Sequence, residues 1–462
     1  MPVNSFENYP MSWKPSKNYD GKPIYISLAE QLEKDIEWGL LLPGTKLPPQ
    51  RELADYLDIN VSTISRAFKL CEKKGILVGM IGSGTFVSYD VRTKLNVMPE
   101  MYSENIIEMG SVMPEIYPQS ELNLLLKKML SEHENGELFQ YSYGAMSIWH
   151  SQAMLRFVKK CRYNANLDNL LISNGGQNAL AAILTGIFKA GDKIGTDPLT
   201  YPGFKTLAKM LGIQLVPIKQ IDGEMSIEGI EYAYRNEGIK AIYVMPDFHN
   251  PTTKLMSEKK RIDIAEFAIE NNILVIEDSI NTLLMRNIIY PIANYAPENT
   301  IYIASFSKAV IPALRLACII TPQKLYNNLK TSLYNLNLSQ SNFILEIAAR
   351  IVESDCMDKI ISKRRERIIK RNSIVNHFLK DYDVIGTEEC IFRWIVLPEG
   401  IDGNEFERIA IENGVQVYAA ERFFVGVERP ISGIRISISA PKDERELIAG
   451  LKIIKKTIET WV

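Results

Sequence analysis

The stretch TIYIASFSKAVIPALRLACII, residues 300–320, sets a lysine among residues that we expect to be buried. Lys308 follows a run of apolar and small residues, and Arg315 precedes a second apolar run. A single lysine in such a place is most often a surface residue at the edge of a loop. The alternative is a buried amine with a chemical task, and the rest of the chain decides between the two.

Strand-like apolar runs alternate with helical patterns through most of the chain. They are NLLIS, KIGTD, QLVPI, AIYVMP, ILVIED and TIYIAS, which begin at residues 169, 193, 214, 241, 273 and 300. This alternation predicts an α/β fold with a mainly parallel sheet and helices on both faces. In such sheets, binding and catalytic groups collect at the carboxyl ends of the strands.

Four of these strands lead to polar groups. NGGQNAL follows the first, and its glycines at the start of a helix suit a phosphate, although a plain turn has the same pattern. Later strands lead to Asn250, to Glu277 and Asp278, and to Lys308. An acid so placed either caps a helix or pairs with a buried cation. A phosphate cradle, an amide, a carboxylate and an amine are together the groups that pyridoxal 5'-phosphate requires.

The first 88 residues predict a separate unit of three helices and a hairpin. Ser27 is the predicted N-cap of the first helix, SLAEQLEKDIEWGLL. Its predicted inward face consists of Leu28, Leu32, Ile36 and Leu40. QRELADYL predicts the second helix, and Asn60 caps the third, VSTISRAFKLCEKKG. With the glycine-containing hairpin ILVGMIGSGTFVS, this order predicts a winged helix-turn-helix; a plain three-helix domain is the alternative.

Length and composition indicate two or more ordinary globular domains. The 462 residues exceed one hydrophobic core, and the formal charge of -2 requires any DNA contact to be local. Five cysteines and four histidines lack metal-like or disulfide spacing, so no metal site is expected. MPVNSFENYPMSWKP lacks the features of a signal peptide, and no apolar run is long enough to cross a membrane. We therefore expect a cytoplasmic protein.

Residues 22–88 resemble the GntR-type winged helix. The resemblance is carried by GLLLPGTKLPPQRELADYLDINVSTISRAF, residues 39–68, and by the wing GSGTFV. It implies binding to double-stranded operator DNA. The residues to which it assigns DNA contacts are Arg51, Ser62, Thr63, Arg66, Gly82 and Gly84. Many relatives have an arginine where this chain has Val61, so the operator sequence does not carry over.

Residues 106–462 resemble a fold-type I aminotransferase domain, and the two units in this order resemble the MocR/GabR regulators. The motifs are GSVMPEIYPQ, SNGGQNAL, DPLTYPG, HNPTT, VIEDS, SFSKAVIPALRL, SKRRERIIKR and GIRISIS. The resemblance implies a domain that binds pyridoxal phosphate. The stretch between the two units is polar and lacks a clear period, which predicts a linker over residues 89–105. Taken alone, SKRRERIIKR predicts a solvated helix face, and it receives no role in the site.

The resemblance also implies a role for each site residue. Lys308 forms a Schiff base with the cofactor, Asp278 pairs with its ring nitrogen, Asn250 donates to its phenolic oxygen and Tyr201 stacks on its ring. Arg435 grips the carboxylate of an amino-acid effector, although from the sequence alone an edge-strand arginine is the alternative. The residues assigned to the phosphate are Gly176, Gln177, Ser305 and Arg315.

Departures from the family pattern predict weakened turnover. Ile280 stands where relatives commonly have a tyrosine, and Thr253, His249 and Ser151 also differ from the usual residues. The expected function is therefore a regulator that senses an amino acid or amine through external aldimine formation. An active aminotransferase carrying a DNA-binding domain, and a regulator that senses pyridoxal phosphate itself, are the alternatives. The resemblance further implies a homodimer.

Overall fold

A computed structural model describes residues 11–17, 21–37, 40–80, 82–88, 106–115, 120–132, 136–140, 146–426 and 432–461. The expected linker at residues 89–105 lies outside these described residues. Two units with separate hydrophobic cores precede and follow it along the chain.

The N-terminal unit is a three-helix domain with a β-hairpin. Its elements are α1 (Ile24–Glu37), α2 (Gln50–Leu57), α3 (Val61–Lys73), β1 (Leu77–Met80) and β2 (Gly84–Val87). The Asn60 side chain accepts a hydrogen bond of 2.9 Å from the Ser62 amide and so caps α3, as predicted. β1 and β2 pair antiparallel, with Leu77 opposite Val87 and Met80 opposite Gly84. This arrangement confirms the winged helix-turn-helix.

Two predictions for the first helix were wrong. Ser27 does not begin the helix, because α1 starts directly after Pro23 and the Ser27 amide donates to the Pro23 carbonyl. Leu40 is 70% exposed, since the assigned helix ends at Glu37 and its periodicity does not extend that far. Leu41 is buried in its place.

A short segment before α1 completes the core of this unit. Trp13 is buried against the apolar faces of the three helices, and its indole N–H donates to a carboxylate oxygen of Asp35 at 2.8 Å. Sequence patterns missed this contact because Trp13 lies in a stretch without periodicity.

The C-terminal unit contains the remaining helices and strands. Its strands are β3 (Ile107–Glu108), β4 (Leu170–Ser173), β5 (Lys193–Thr196), β6 (Gln214–Pro217), β7 (Gln220–Ile221), β8 (Glu224–Met225), β9 (Ala241–Val244), β10 (Leu274–Asp278), β11 (Thr300–Ser305), β12 (Ala317–Ile320), β13 (Val384–Ile385), β14 (Phe392–Val396), β15 (Val415–Gln416), β16 (Tyr418–Ala419) and β17 (Gly433–Ser437). Its helices are α4 (Ser120–Glu132), α5 (Ile148–Lys160), α6 (Gly176–Ile187), α7 (Pro202–Met210), α8 (Ile227–Tyr232), α9 (Glu258–Glu270), α10 (Ile292–Tyr295), α11 (Phe306–Ala309), α12 (Gln323–Asn337), α13 (Asn342–Glu353), α14 (Cys356–Phe378), α15 (Gly403–Glu412) and α16 (Glu444–Glu459).

A seven-stranded sheet forms the centre of this unit, in the order β4-β12-β11-β10-β9-β5-β6. All neighbours run parallel except that β12 is antiparallel to both β11 and β4. Helices cover both faces: Ile276 packs in a core with α6, α7 and α12, whereas its neighbour Val275 packs in a core with α8 and α9. The predicted α/β fold with a mainly parallel sheet is confirmed.

A second sheet, which the sequence analysis did not resolve, follows the first. It is antiparallel, in the order β13-β14-β17-β16, and places Arg435 opposite Trp394 and Tyr418. The short strand β3 pairs with β15 beside it. This sheet brings residues near the C-terminal end of the chain next to the first residues after the linker.

The motif SKRRERIIKR lies on α14 and is solvated on one side only, where Lys363, Glu366 and Lys370 are exposed. Arg364 and Arg371 are only 3% and 2% exposed, because their guanidinium groups donate to backbone carbonyls and to a carboxylate inside the protein. Burial of a charge is tolerated when it is paired and hydrogen-bonded in this way. All five cysteines are buried with free thiols, and no helix within the described residues is long and apolar enough to cross a membrane.

Candidate functional site

Lys308 lies at the carboxyl end of β11, in the short helix α11, where the sheet order brings several other strand ends close to it. Its Nζ donates a hydrogen bond of 2.6 Å to the carbonyl of Val112. Burial lowers the pKa of this amine to about 8, and the positive charges of Arg435 and Arg315 act in the same direction. The lysine is therefore poised to lose its proton near neutral pH, as a nucleophilic amine must.

The adjacent acids at the end of β10 take the two roles that the sequence left open. Glu277 accepts hydrogen bonds of 2.9 Å from the amides of Ile292 and Ala293 and so caps α10. Asp278 points to the other face of the sheet, because side chains alternate along a strand. Burial raises its pKa to about 6, against the lowering effects of the Tyr243 hydrogen bond and the Lys308 charge.

Asp278 has one oxygen engaged and one available. Its Oδ2 accepts from the Tyr243 hydroxyl at 2.9 Å, while its buried Oδ1 has no hydrogen-bond partner within the part of the chain that the structure describes. A buried carboxylate oxygen without a donor is costly, so the site fits a ligand that donates a proton to Oδ1.

A glycine turn and an arginine meet at the start of α6. Gly175 has φ +85°, and a Cβ placed on it would lie 2.6 Å from Nη2 of Arg315. The turn therefore favours glycine on conformation, and a side chain at this position would displace the Arg315 guanidinium. The first amides of α6, at the positive end of its dipole, and the exposed Arg315 guanidinium form a cradle that suits a phosphate.

Two serines lie near Lys308, and the one predicted for the phosphate, Ser305, is not the one that contacts Arg315. Ser305 Oγ accepts from the Ser307 amide at 3.2 Å and caps α11. The Ser307 hydroxyl, which the sequence analysis did not single out, accepts from Nη1 of Arg315 at 3.2 Å. Its position directly before Lys308 was the available signal. Both hydroxyls lie at the cradle, and Ser307 is an additional candidate for it.

Asn250 and Arg435 meet across the two sheets. Nη1 of Arg435 donates to Oδ1 of Asn250 at 2.6 Å, and Nη2 donates to the carbonyl of Gly110. Burial lowers the pKa of the guanidinium to about 10, and its Nε has no hydrogen-bond partner among the described residues. The sequence prediction that Arg435 belongs to the site agrees with this position, whereas a solvated edge-strand arginine does not.

Three aromatic rings surround Arg435. Its guanidinium carbon lies 4.9 Å from the ring centre of Phe423, 5.3 Å from that of Tyr418 and 5.8 Å from that of Phe392. Rings at these distances stabilise a desolvated cation and restrict the guanidinium plane. The arginine is thus held in one orientation at the wall of the site.

Tyr201 and Gln177 lie on the other side of the site. Burial raises the pKa of the Tyr201 phenol to about 12, as does the nearby charge of Asp278, so the phenol stays protonated. Gln177 donates to the carbonyl of Gly203 at 3.0 Å, beside Tyr201, while its buried Oε1 lacks a hydrogen-bond partner in the described chain. Gly176 follows Gly175 in the turn, and a Cβ placed on it would lie 3.5 Å from Cγ2 of Ile280.

The residues present fit pyridoxal phosphate. Its ring nitrogen would satisfy the buried Oδ1 of Asp278, its phosphate would occupy the cradle at Gly175 and Arg315, and its aldehyde would meet the amine of Lys308. Two of the departures from the family pattern have a structural consequence. Ile280 lies 3.5 Å from a Cβ placed on Gly176, and Thr253 has φ +63°, a strained value for a β-branched residue.

The helix-turn-helix presents most of the predicted DNA contacts to solvent. Arg51, Ser62 and Arg66 are exposed, as are Gly82 and Gly84 in the hairpin, whereas Thr63 is half-buried. Gly82 and Gly84 have φ values of +77° and +113°, which glycine adopts most readily. Since α3 exposes its N-terminal residues beside the hairpin, the surface has the form of a DNA-binding winged helix.

Two further residues belong to this surface. Lys46 is exposed next to the hairpin, with its Nζ 5.9 Å from the Phe86 ring centre and its Cε 3.0 Å from a Cβ placed on Gly84. Val61, the first residue of α3, is 39% exposed beside Ser62 and so leaves an apolar group where relatives have a cation. Lys46 was missed because a loop lysine has no distinguishing pattern.

Comparison with known proteins agrees with both units. Residues 24–87 match the profile "Bacterial regulatory proteins, gntR family", and residues 116–454 match "Aminotransferase class I and II". The HTH-type transcriptional regulator YdeF of Bacillus subtilis (strain 168) is 47% identical over 459 residues, 99% of each chain. The HTH-type transcriptional regulator NorG of Staphylococcus aureus (strain N315) is 25% identical over 403 residues, 77% of this chain and 87% of that one.

Solved structures show the same fold for the C-terminal unit. An archaeal alanine:glyoxylate aminotransferase superposes with a TM-score of 0.71 at 20% identity, covering 77% of this chain and 91% of that one. A kynurenine aminotransferase of Pyrococcus horikoshii gives a TM-score of 0.71 at 22% identity, with 78% and 92% coverage.

The fold and the comparisons define a DNA-binding transcription regulator with an aminotransferase-like domain. The chain belongs to the aminotransferase class I and II family, and with its GntR-type winged helix it is a regulator of the MocR/GabR type.

Proposed function

We propose that this regulator binds pyridoxal phosphate at Lys308 and uses the bound cofactor to sense an amino acid or another primary amine. The observation that carries the proposal is the pairing, in one site, of a weakly basic amine with a buried carboxylate oxygen that lacks a donor. Burial of an unsatisfied oxygen costs about 1–3 kcal/mol. Such a cost is typical of a functional site.

The cofactor, when bound, supplies an aldehyde that condenses reversibly with primary amines. The chain's own residues then have distinct tasks. Asp278 stabilises a protonated ring nitrogen, Asn250 donates to an oxygen on the ring, and Tyr201 lies against the ring. The phosphate is held by the first amides of α6 and by the residues Gly176, Gln177, Ser305, Ser307 and Arg315.

Arg435 supports an effector that carries a carboxylate. Its guanidinium is buried, held in orientation by aromatic rings, and already bonded to the side chain of Asn250. A fork-shaped cation in this setting favours a carboxylate through paired, charge-assisted hydrogen bonds. An amino acid presents both an amine for the cofactor and a carboxylate for Arg435, which makes it the effector class that suits the site best.

Regulation requires the effector to favour one arrangement of the protein. A ligand shifts an equilibrium only through its different affinity for the two states. We propose that the protein is a cytoplasmic homodimer that binds operator DNA, divided into a winged helix at 22–88, a linker at 89–105 and a sensing domain at 106–462. Exposed apolar residues, such as Leu124 on α4, Phe139, and Ile148 at the start of α5, support a partner surface.

The decisive experiment combines absorbance with chemical trapping. Purified protein is incubated with pyridoxal phosphate, reduced with borohydride and digested, and the labelled peptide is identified by mass spectrometry. The proposal expects a pyridoxyl group on Lys308 and an absorbance band that shifts with one class of amino acid. Labelling at other lysines alone would exclude this site.

DNA binding by the same samples separates the alternatives. Operator affinity that depends on an amino acid supports the proposal. Affinity that depends on pyridoxal phosphate alone points to a sensor of the cofactor itself. Sustained conversion of an amino acid and a keto acid, without an effect on DNA binding, points to an aminotransferase.

A further inference from the structure

The chain segment that follows the linker, residues 106–115, contacts both Lys308 and Arg435. The carbonyl of Val112 accepts the hydrogen bond from Nζ of Lys308, at 2.6 Å. Two residues earlier, the carbonyl of Gly110 accepts from Arg435. A ligand that takes up Nζ of Lys308 or Nη2 of Arg435 would replace these backbone carbonyls.

The end of this segment is held by three arginines of α14, of which Arg364 and Arg371 are buried and Arg367 is exposed. Glu115 is 8% exposed and its carboxylate accepts hydrogen bonds from Arg367 and from Arg371, the latter at 2.8 Å. Arg364 donates to the carbonyls of Ala309 and Val310, at 3.1 and 3.0 Å, and to the carbonyl of Glu115 at 3.4 Å. One guanidinium thus joins the residues after Lys308 to the end of the segment.

The rest of the segment is bound to β15 and to the second sheet. The amides of Ile107 and Met109 donate to Gly414 and Gln416 at 2.9 Å, and the Ser437 amide donates to Met109. The hydroxyl of Ser439 donates to the carbonyl of Met113 at 2.6 Å. The segment is therefore tied to β15 and to the second sheet, and its first residue directly follows the linker.

We propose that Glu115 is a positioning residue for the site and that residues 106–115 transmit the state of Lys308 and Arg435 to the linker. The proposal rests on the proposed function, since it assigns the path by which ligand binding reaches the winged helix. Release of the two carbonyls removes direct contacts between the segment and the site. The segment is then the two-state element that ligand and DNA both bias.

A purely structural role for the ion pairs is the alternative. Buried ion pairs often specify packing without a functional consequence. The same helix provides a matched control, since Lys363 donates to Glu121 at 2.7 Å and Glu121 lies outside the segment. The variants Glu115→Gln and Glu121→Gln each remove one carboxylate charge that pairs with α14, but only the first touches residues 106–115.

The first test uses cofactor-free protein and hydrogen exchange of the amides at residues 107–113. We expect Glu115→Gln and Lys308→Met to increase exchange by about ten-fold, and Glu115→Asp to restore part of the protection. Glu121→Gln is expected to leave exchange in the segment unchanged. Unchanged exchange in Lys308→Met would overturn the link between the lysine and the segment, whether or not a cofactor binds.

The second test measures DNA affinity with and without pyridoxal phosphate, on a duplex selected from random sequences by the wild-type protein. Glu115→Gln is expected to take up cofactor normally, but the cofactor is expected to lose most of its effect on DNA affinity. In typical systems such coupling changes an affinity by a factor of about 5–150. The absorbance of bound cofactor changes at a certain pH in the wild type. This pH is also expected to shift in Glu115→Gln and to return to the wild-type value in Glu115→Asp.

The outcomes separate the two proposals. Absence of a cofactor band in the wild type removes the proposed function, and the exchange data still decide the contact with Lys308. A cofactor band with identical coupling in wild type and Glu115→Gln overturns the role of Glu115 alone. Reduced thermal stability without a change in coupling or in the absorbance titration assigns Glu115 a structural role only.

Discussion

The hydroxyl of Tyr243 donates a 2.9 Å hydrogen bond to one oxygen of Asp278 and leaves the other oxygen turned into the candidate site. The tyrosine thereby fixes the orientation of the carboxylate before any ligand arrives. Orientation by a neighbouring side chain reduces the cost of ordering the site on binding. The two residues lie on adjacent parallel strands, β9 and β10, so the sheet itself sets their separation.

Asp278→Asn is expected to weaken cofactor binding by about ten- to a hundred-fold, because a charge-assisted hydrogen bond of about 1.5–3 kcal/mol is lost. Tyr243→Phe is expected to have a smaller effect, since the carboxylate remains. Binding is measured by absorbance titration with pyridoxal phosphate. Glu277→Gln serves as the control: this acid caps α10, so its loss is expected to lower stability and to leave affinity unchanged. Equal affinity in Asp278→Asn and wild type would place the cofactor elsewhere.

Labelling of Lys308 by pyridoxal phosphate and borohydride is expected to depend on pH. The amine reacts only when unprotonated, and its pKa is lowered to about 8 from an ordinary value of 10.5. The initial rate is therefore expected to rise with pH up to about 8 and to level off above it. Because Asp278 raises this pKa, the plateau is expected to begin at lower pH in Asp278→Asn. A rate that keeps rising to pH 10 would indicate a solvated lysine.

The same pKa has a consequence for stability. Between about 8 and 10.5 the unfolded chain holds the lysine proton and the folded chain does not, so this group makes stability rise with pH across that window. Lys308→Met removes the contribution. It is expected to stabilise the cofactor-free protein more at pH 7 than at pH 10.5, as measured by urea unfolding.

The central sheet and its polar strand ends were predictable because the underlying signals are local. A strand has a period of two, which also explains why Glu277 and Asp278 serve opposite faces. The roles of Ser305 and Ser307 were not separable in this way, since the cap of α11 decides which hydroxyl meets Arg315. A cap depends on backbone geometry, and both serines fit the motif equally well.

Long-range pairing set the limit of the sequence analysis. The second sheet pairs β14 with β17, although α15, β15 and β16 lie between them along the chain. No local pattern specifies the register of such a pair. The arginines of α14 were assigned to solvent because charged residues are seldom buried unpaired. Their partners, such as Glu115, lie about 250 positions away along the chain, as for the 256-residue separation from Arg371.

Contacts of α3 with DNA are expected to be sensitive to salt. Arg66→Ala removes an exposed cation near the start of the helix and is expected to lower the slope of log affinity against log salt by about 1. Lys73→Ala removes a cation from the last turn of the same helix and is the matched control, with little change expected. Fluorescence anisotropy over a salt series measures both. Equal slopes for the two variants would contradict the predicted docking of α3.

The C-terminal end of α12 stores backbone strain that a glycine should relieve. Leu338 follows the helix with φ +61° and ψ -65°, and its side chain is 60% exposed, so little burial is lost on its removal. Leu338→Gly is expected to stabilise the fold by about 1 kcal/mol. Leu336→Gly, inside the helix and also largely exposed, is expected to destabilise it by about 0.5–1 kcal/mol. If both variants shifted the urea midpoint in the same direction, the assignment of strain to Leu338 would be refuted.

Arg435→Lys is expected to abolish the preference for effectors that carry a carboxylate while leaving cofactor uptake within about three-fold, because a lysine lacks the forked donors of arginine. The probes are pairs of an amino acid and the amine that it becomes without its carboxylate. Each pair is scored by the shift in cofactor absorbance and by the change in DNA affinity. The ratio between the members of a pair isolates the carboxylate contact from the reaction of the amine.

Arg422→Lys provides the matched control for this ratio. Arg422 also lies over Tyr418, 4.5 Å from its ring centre, but its guanidinium pairs with Glu407 and not with Asn250. Its replacement is therefore expected to disturb packing around Tyr418 without changing the preference. If Arg435→Lys retained the wild-type ratio, the carboxylate contact would have to be assigned to another cation. Arg315, at the phosphate cradle, would then be the next residue to vary.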